Sequence, residues 1–230
     1  MDFKGFPPDL FAFLADLAAH NDREWFQANR ERYERHVVAP VQAFIQAVGE
    51  RVLPHVSDAF VADPRRQGGS MFRIFRDTRF SGDKRPYKEN VGCQFRHAAG
   101  RDVHAPGFYV HLAPGEVFLG GGIWKPDAPT LARIRAAIIQ RPKAWAAVVD
   151  DIAYRDYFDG LEGESLTRPS RGIDPAHPHV QWLKRKSLFA LKNLDPARVL
   201  RADFLDEAET AFQKAGPLVR FIAEALELHY

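Results

Sequence analysis

From Leu10 to Val52 the apolar residues recur at helical spacing. Leu10, Phe11, Phe13, Leu14 and Leu17 form one stripe behind the start signal Pro7-Pro8-Asp9. Asn21 and Asp22 interrupt it, and Asp22 is placed to cap a second helix carrying Trp25, Phe26 and Tyr33. Pro40 marks a third start, followed by Val41, Phe44, Ile45, Val48 and Val52 on one helical face. These aromatic faces read as core rather than as a cofactor box.

The period then changes. Residues 59–62 read as a short strand and residues 65–69 as a turn. Met71 to Arg76 alternates, which sets Phe72 and Ile74 on one face and Arg73 and Phe75 on the other. Val91 to Phe95, Gly107 to Ala113 and Val117 to Gly120 follow as strands. The last two are joined by the turn Ala113-Pro114-Gly115-Glu116, as in an antiparallel meander. Gly120, Gly121 and Gly122 are expected to end the strand. A helix with the stripe Leu131, Ile134 and Ile138 comes next, then a short one from Pro142 through Trp145 and Val149. Residues 154–178 are rich in Gly and Pro, with one candidate strand near Ser165, and residues 180–184 suit a short helix. Asp203 is expected to cap a long terminal helix through Phe212, broken at Gly216-Pro217 and resumed over residues 218–228. With no repeat and no long linker, the pattern predicts one α+β domain over residues 1–230. A mainly antiparallel central sheet would lie between N-terminal helices and a long C-terminal helix.

Composition adds bounds. Eighteen Phe within a 46% hydrophobic chain of 230 residues can fill a substantial core. The formal net charge of +2 is too balanced for a general nucleic-acid coat or membrane-surface protein. The single cysteine, Cys93, excludes an intrachain disulfide and a cysteine zinc site, and its apolar strand predicts an inert thiol. No stretch approaches the ~18 apolar residues of a membrane span. The start MDFKGFPPDL lacks the apolar centre of a secretory signal, so a cytoplasmic location is expected.

Charge is uneven in one place. From Arg73 to Lys88 six basic residues (Arg73, Arg76, Arg79, Lys84, Arg85 and Lys88) face two acidic ones, Asp77 and Asp83. Phe75, Phe80 and Tyr87 are interleaved with them, and Ser81-Gly82-Asp83 suits a tight turn. Arginine forks match phosphate or carboxylate oxygens and lysine adds a point charge, so the loop is a candidate site for an anion. Asp77 and Asp83 would either orient the arginines or act as a base. The plainer reading is a solvated loop whose Arg and Asp side chains pair with one another. Strand periodicity puts Tyr109 and His111 on one face, opposite Phe108, Val110 and Leu112. Arg73 is expected on that same face, away from the helices, and His111 is the natural acid–base candidate. Gly121 and Gly122, leading through Trp124 into a helix start, suit either an anion nest or close strand packing. Arg168-Pro169-Ser170-Arg171-Gly172, His177-Pro178 and Lys184-Arg185-Lys186 form a second basic segment, either a further anion wall or a surface loop. No HExxH, GxSxG or Mg²⁺-spaced acidic cluster occurs, so no metal site is indicated, although Asp77 and Asp83 could join distant carboxylates, and the cofactor is left open.

Together these residues resemble a widespread bacterial and fungal family of uncharacterised proteins, domain-of-unknown-function family 2461. The resemblance rests on residues 21–33 (NDREWFQANRERY), Arg76 to Ser81, Asp83 to Lys88, Tyr109 to Leu112 and residues 120–126. It extends to Arg168-Pro169, Gly172 and His177-Pro178, and so spans nearly the whole chain. It implies one cytoplasmic domain and brings no catalytic residue. The residues themselves point to an anionic small molecule bound by Arg73, Arg76, Arg79, Asp83, Lys84, Tyr87, Lys88, Tyr109, Gly121, Gly122 and Trp124. Proton transfer would fall to Asp77 or His111. A non-enzymatic nucleic-acid- or protein-binding module is the alternative.

Overall fold

The computed structural model describes residues 3–79, 82–100, 104–158 and 160–230, without the side chains of residues 161 and 162. Phe80 and Ser81 of the charged loop lie outside the described residues. Helix α1 (Pro8–Ala19) buries Leu10, Phe13, Leu14 and Leu17. Asp22 caps α2 (Arg23–Ala28) through a bond accepted from the Trp25 amide. From α3 (Arg30–Tyr33) the chain runs helically through a π turn, Glu34–Val38, into α4 (Ala39–Ala47). Pro40 therefore does not start a separate helix. The widened turn just before it accommodates a ring that would clash with the preceding turn of a regular helix.

Five strands form an antiparallel sheet in the order β1-β2-β3-β5-β4. They are β1 (Val91–Arg96), β2 (Gly107–Ala113), β3 (Glu116–Ile123), β4 (Leu161–Glu162) and β5 (Leu188–Leu194). Register pairs Tyr109 with Gln94 and Gly120, and His111 with Gly92 and Phe118. The expected 59–62 strand reduces to a bridge between Phe60 and His97. The expected Met71–Arg76 strand is likewise broken into single bridges, Met71 to Cys93 and Phe75 to Tyr87. Beyond Phe72 the chain leaves the edge of β1 and pairs with its own return limb: Arg76 N–H donates to the Pro86 carbonyl and Lys88 N–H to that of Ile74.

Gly120, Gly121 and Gly122 do not end β3. They lie inside it, paired with β2 on one side and β5 on the other. A Cβ at Gly120 or Gly122 would run into the β5 backbone at Ala190 or Leu188, and Gly122 holds φ +143. Close strand approach accounts for these glycines.

Between β3 and β5 come α5 (Ala128–Gln140), α6 (Pro142–Val149), α7 (Ile152–Tyr157) and α8 (Val180–Leu183). The terminal helix α9 (Phe204–Ala225) is continuous through Pro217. Burial of Ala215, Leu218 and Val219 on both sides of Gly216-Pro217 holds the helix together despite the lost backbone donor. Asp203 sits at its N-cap position, but its carboxylate accepts from Arg201 instead of capping the helix.

Alternation decides what each sheet face meets. Phe108, Val110 and Leu112 are fully buried on the α9 side, where Phe108 stacks on Phe212 at 4.7 Å. Phe204 meets Phe44 of α4 and Phe6 just before α1, and Phe221 meets Trp145 of α6. One cluster of buried side chains thus joins helices and sheet. The opposite sheet face carries Tyr109, His111 and Phe118.

Candidate functional site

The charged loop closes as a short hairpin docked on the first two helices. Tyr87 is buried and stacks on Phe26 with ring centroids 4.2 Å apart. Asn21, in the α1–α2 corner, donates to the Tyr87 carbonyl at 3.1 Å and to Glu89 at 2.9 Å, while its own carbonyl accepts the Tyr87 N–H at 3.1 Å. The aromatics of this segment thus divide their roles. Tyr87 anchors the loop, and Phe75 is 53% exposed.

Most of the loop's cations meet local acceptors. Arg76 Nη1 donates to Asp83 at 2.5 Å, and Arg85 reaches both Asp83 and Glu89. Arg79 forks onto Asp77 with bonds of 3.0 and 2.7 Å. Lys84 Nζ donates to the Thr78 carbonyl. The Arg79 guanidinium holds the Asp77 carboxyl down at about 2, and Arg85 with Arg76 holds Asp83 well below the usual carboxylate range. A carboxylate with so low a pKa is a weak base at neutral pH. In the structure Asp77 is bonded by Arg79.

Lys88 and Arg73 differ. Neither has a carboxylate within ion-pairing distance among the described residues. Arg73 is exposed. Lys88 is half-buried, with its ammonium 5.4 Å from the centre of the Phe72 ring. Burial, and then the Arg73 charge, lower the Lys88 pKa. Phe72 packs on Tyr109 at 5.8 Å, so this ring links the lysine to the open sheet face. Phe72, rather than Arg73, holds the place against Tyr109 that alternation assigned to the arginine.

On that face Tyr109 Oη lies 3.2 Å from His111 Nδ1. Burial raises the Tyr109 pKa, so the phenol keeps its proton and shares a hydrogen bond with Nδ1. The other ring nitrogen, Nε2, faces Glu116 Oε2 at 3.8 Å. Burial lowers the His111 pKa, against a smaller upward pull from Glu116. The imidazole stacks on Phe118 at 4.5 Å with planes 3° apart. Gly92 makes room for the pair, since a Cβ there would meet Tyr109 Oη at 2.5 Å and Phe72 at 3.0 Å. Sequence reasoning missed Phe72, Gly92, Phe118 and Glu116 as parts of this arrangement. The signal that could have found them was pairing register, which sets Gly92 and Phe118 on either side of His111.

The remaining candidates lie elsewhere. Gly121 faces α9, where a Cβ would meet Ala215, Phe108 and Val219 at 2.9 Å. Trp124 stands beyond the far end of β3, six residues from Phe118, or roughly 20 Å along a strand. An open groove of about 380 Å³ beside α9, lined in part by Val148, Gly216, Arg220, Phe221 and Tyr230, shares no residue with the loop or the Tyr109 face. Among the described residues no group of three or more His, Cys, Asp or Glu side chains is arranged to hold a metal ion. Nor is any helix there long and apolar enough to cross a membrane.

No curated protein matches the chain. Residues 9–221, which carry the hairpin and the Tyr109 face alike, match a family described as conserved hypothetical protein (DUF2461). The chain belongs to that family.

Proposed function

We propose that the protein binds a small phosphate- or carboxylate-bearing molecule at Lys88 and Arg73, beside the Tyr109–His111 pair. One observation carries the reading: Lys88 is a half-buried ammonium with no carboxylate within ion-pairing distance among the described residues, next to the exposed guanidinium of Arg73. Charged groups withdrawn from water are ordinarily paired, because desolvation without compensation is costly. An incoming anion would supply the compensation. Tyr109 and His111 equip the same face to exchange a proton with the bound molecule, with His111 neutral and its Nδ1 engaged. Arg76, Arg79, Asp83, Lys84 and Tyr87 support the site by fixing the hairpin that presents Lys88. The reading sets the site in the cytoplasm, in keeping with a chain whose one cysteine is buried and free.

Thermal unfolding with phosphate, citrate or adenosine monophosphate tests it. A ligand that binds only the folded state raises the melting temperature with concentration. At least one of these anions should do so for the parent protein, and Lys88→Met should remove the rise. An equal rise in both proteins, or none in the parent, would reject the site.

A further inference from the structure

The second basic segment has no part in the site above, and its partners in the structure give it a different character. Arg135, half-buried on α5, donates through Nη1 to Ser170 Oγ at 2.9 Å and through Nη2 to the Arg185 carbonyl at 3.0 Å. Its Nε is buried without a partner. Arg185 in turn donates to the Gly163 carbonyl at 3.1 Å. The segment therefore folds around guanidinium groups that bond to neutral oxygens.

Two of its described acids are already engaged. Glu164 pairs with Lys186 at 2.6 Å and lies 3.8 Å from Lys125, and Asp174 accepts from the Ala176 amide. Among the described residues no carboxylate pairs with Arg135, Arg168, Arg171, Lys184 or Arg185. Arg168 and Arg171 flank Ser170 and are exposed. In a chain of net charge +2, four cations without carboxylate partners among the described residues on one segment, with Arg135 of α5 bonded to it, make a strongly positive surface.

An aromatic ring borders it. Trp124 is 46% exposed, and its ring lies 3.6 Å from where a Cβ of Gly163 would stand. Gly163 is the residue whose carbonyl Arg185 holds, so ring and cations share one scaffold. Lys125 Nζ sits 5.7 Å from the ring centre. A part-exposed indole on the scaffold that carries these cations matches the way single-stranded nucleic acids are held, with phosphates on Arg and Lys and a base stacked on an aromatic face. An acidic protein would use the same cations but would not need the indole.

We infer that the surface formed by Arg168, Arg171, Lys184, Arg185 and Trp124 binds single-stranded nucleic acid without strong sequence preference. This inference is independent of the Lys88 site and uses none of its residues.

Fluorescence anisotropy with a labelled fifteen-residue oligothymidylate, measured across a salt series, tests it. The parent protein should bind, with affinity falling steeply as salt rises. The double variant Arg168→Glu, Arg171→Glu should bind at least tenfold more weakly. Its salt slope should be shallower by about 0.7 for each phosphate that it no longer neutralises. Trp124→Ala should lower affinity about fivefold or more while leaving the salt slope unchanged, because stacking releases no counterions. All three substitutions are at exposed positions, and circular dichroism would check that the fold is kept. Absence of binding at low salt would overturn the inference, as would variants that bind like the parent. Binding that heparin matches and that Trp124→Ala leaves intact would mark the surface as a dock for an acidic protein or another polyanion, and would equally overturn it.

Discussion

An ammonium group needs water or a partner, and Lys88 has lost much of its water without gaining a carboxylate. Because burial and Arg73 lower its folded-state pKa, its charge opposes folding at neutral pH. That opposition is fully present below the folded pKa and disappears as pH rises above the unfolded value. Lys88→Met should therefore leave the melting temperature unchanged or raise it in the absence of anion, as read in a thermal melt at pH 7. His111 has the same sign of shift. Its depressed pKa means that neutral imidazole favours the fold above the unfolded value of about 6.5, and that this stability is lost as pH falls through that value toward the folded pKa. In His111→Gln the melting temperature should decline less between pH 7 and pH 5 than it does in the parent. Cys93 is also governed by burial, which pushes its thiol up to about 12. A thiol reagent at pH 8 should modify it only after denaturant is added.

The hairpin over residues 73–88 behaves as an element because its two limbs bond to each other and to Asn21. Its ion pairs differ in exposure. The Arg76 and Asp83 side chains are 26% and 35% exposed, against 76% and 46% for Arg79 and Asp77. Arg76→Gln should then lower the melting temperature by a few degrees, whereas Arg79→Gln should barely change it. A large loss in both would mean that the whole loop is a structural latch. On the other side of the sheet, β3 and α9 touch where Gly121 has no side chain. Gly121→Ala would press a Cβ against Ala215, Phe108 and Val219, and overpacking of this kind costs about 1–3 kcal/mol. A denaturant melt with unchanged slope would report it. The elements that could be read from sequence were those with one buried face, such as β2, where Tyr109 and His111 alternate with Phe108, Val110 and Leu112. Strand β5 could not be read, because Leu188, Phe189 and Ala190 are buried in succession and show no period. Nor could the true extent of β3, since glycines that signal a strand end in isolation serve here to admit β5.

In the whole molecule, the two faces of one sheet do different work. The α9 face holds the core, and the other face presents Tyr109 and His111 beside the hairpin that carries Lys88. The sequence showed both the surplus of positive charge and the shared face of Tyr109 and His111. It could not show which cations would find acceptors, because Asp83 meets Arg76, and Glu89 meets Arg85, only once the hairpin has closed. It also could not show that five strand residues separate Trp124 from Phe118, the partner of His111, which divides one predicted site into two regions. If an anion binds at Lys88, it comes within the field of His111. An anion beside an imidazole favours the charged form and raises its pKa. Heteronuclear NMR of the imidazole nitrogens during a titration with phosphate and citrate measures this directly. A saturable shift of the His111 resonances and a higher His111 pKa in the bound state are expected, both absent in Lys88→Met. His111 resonances that stay still at saturating anion, or that move equally in Lys88→Met, would contradict it.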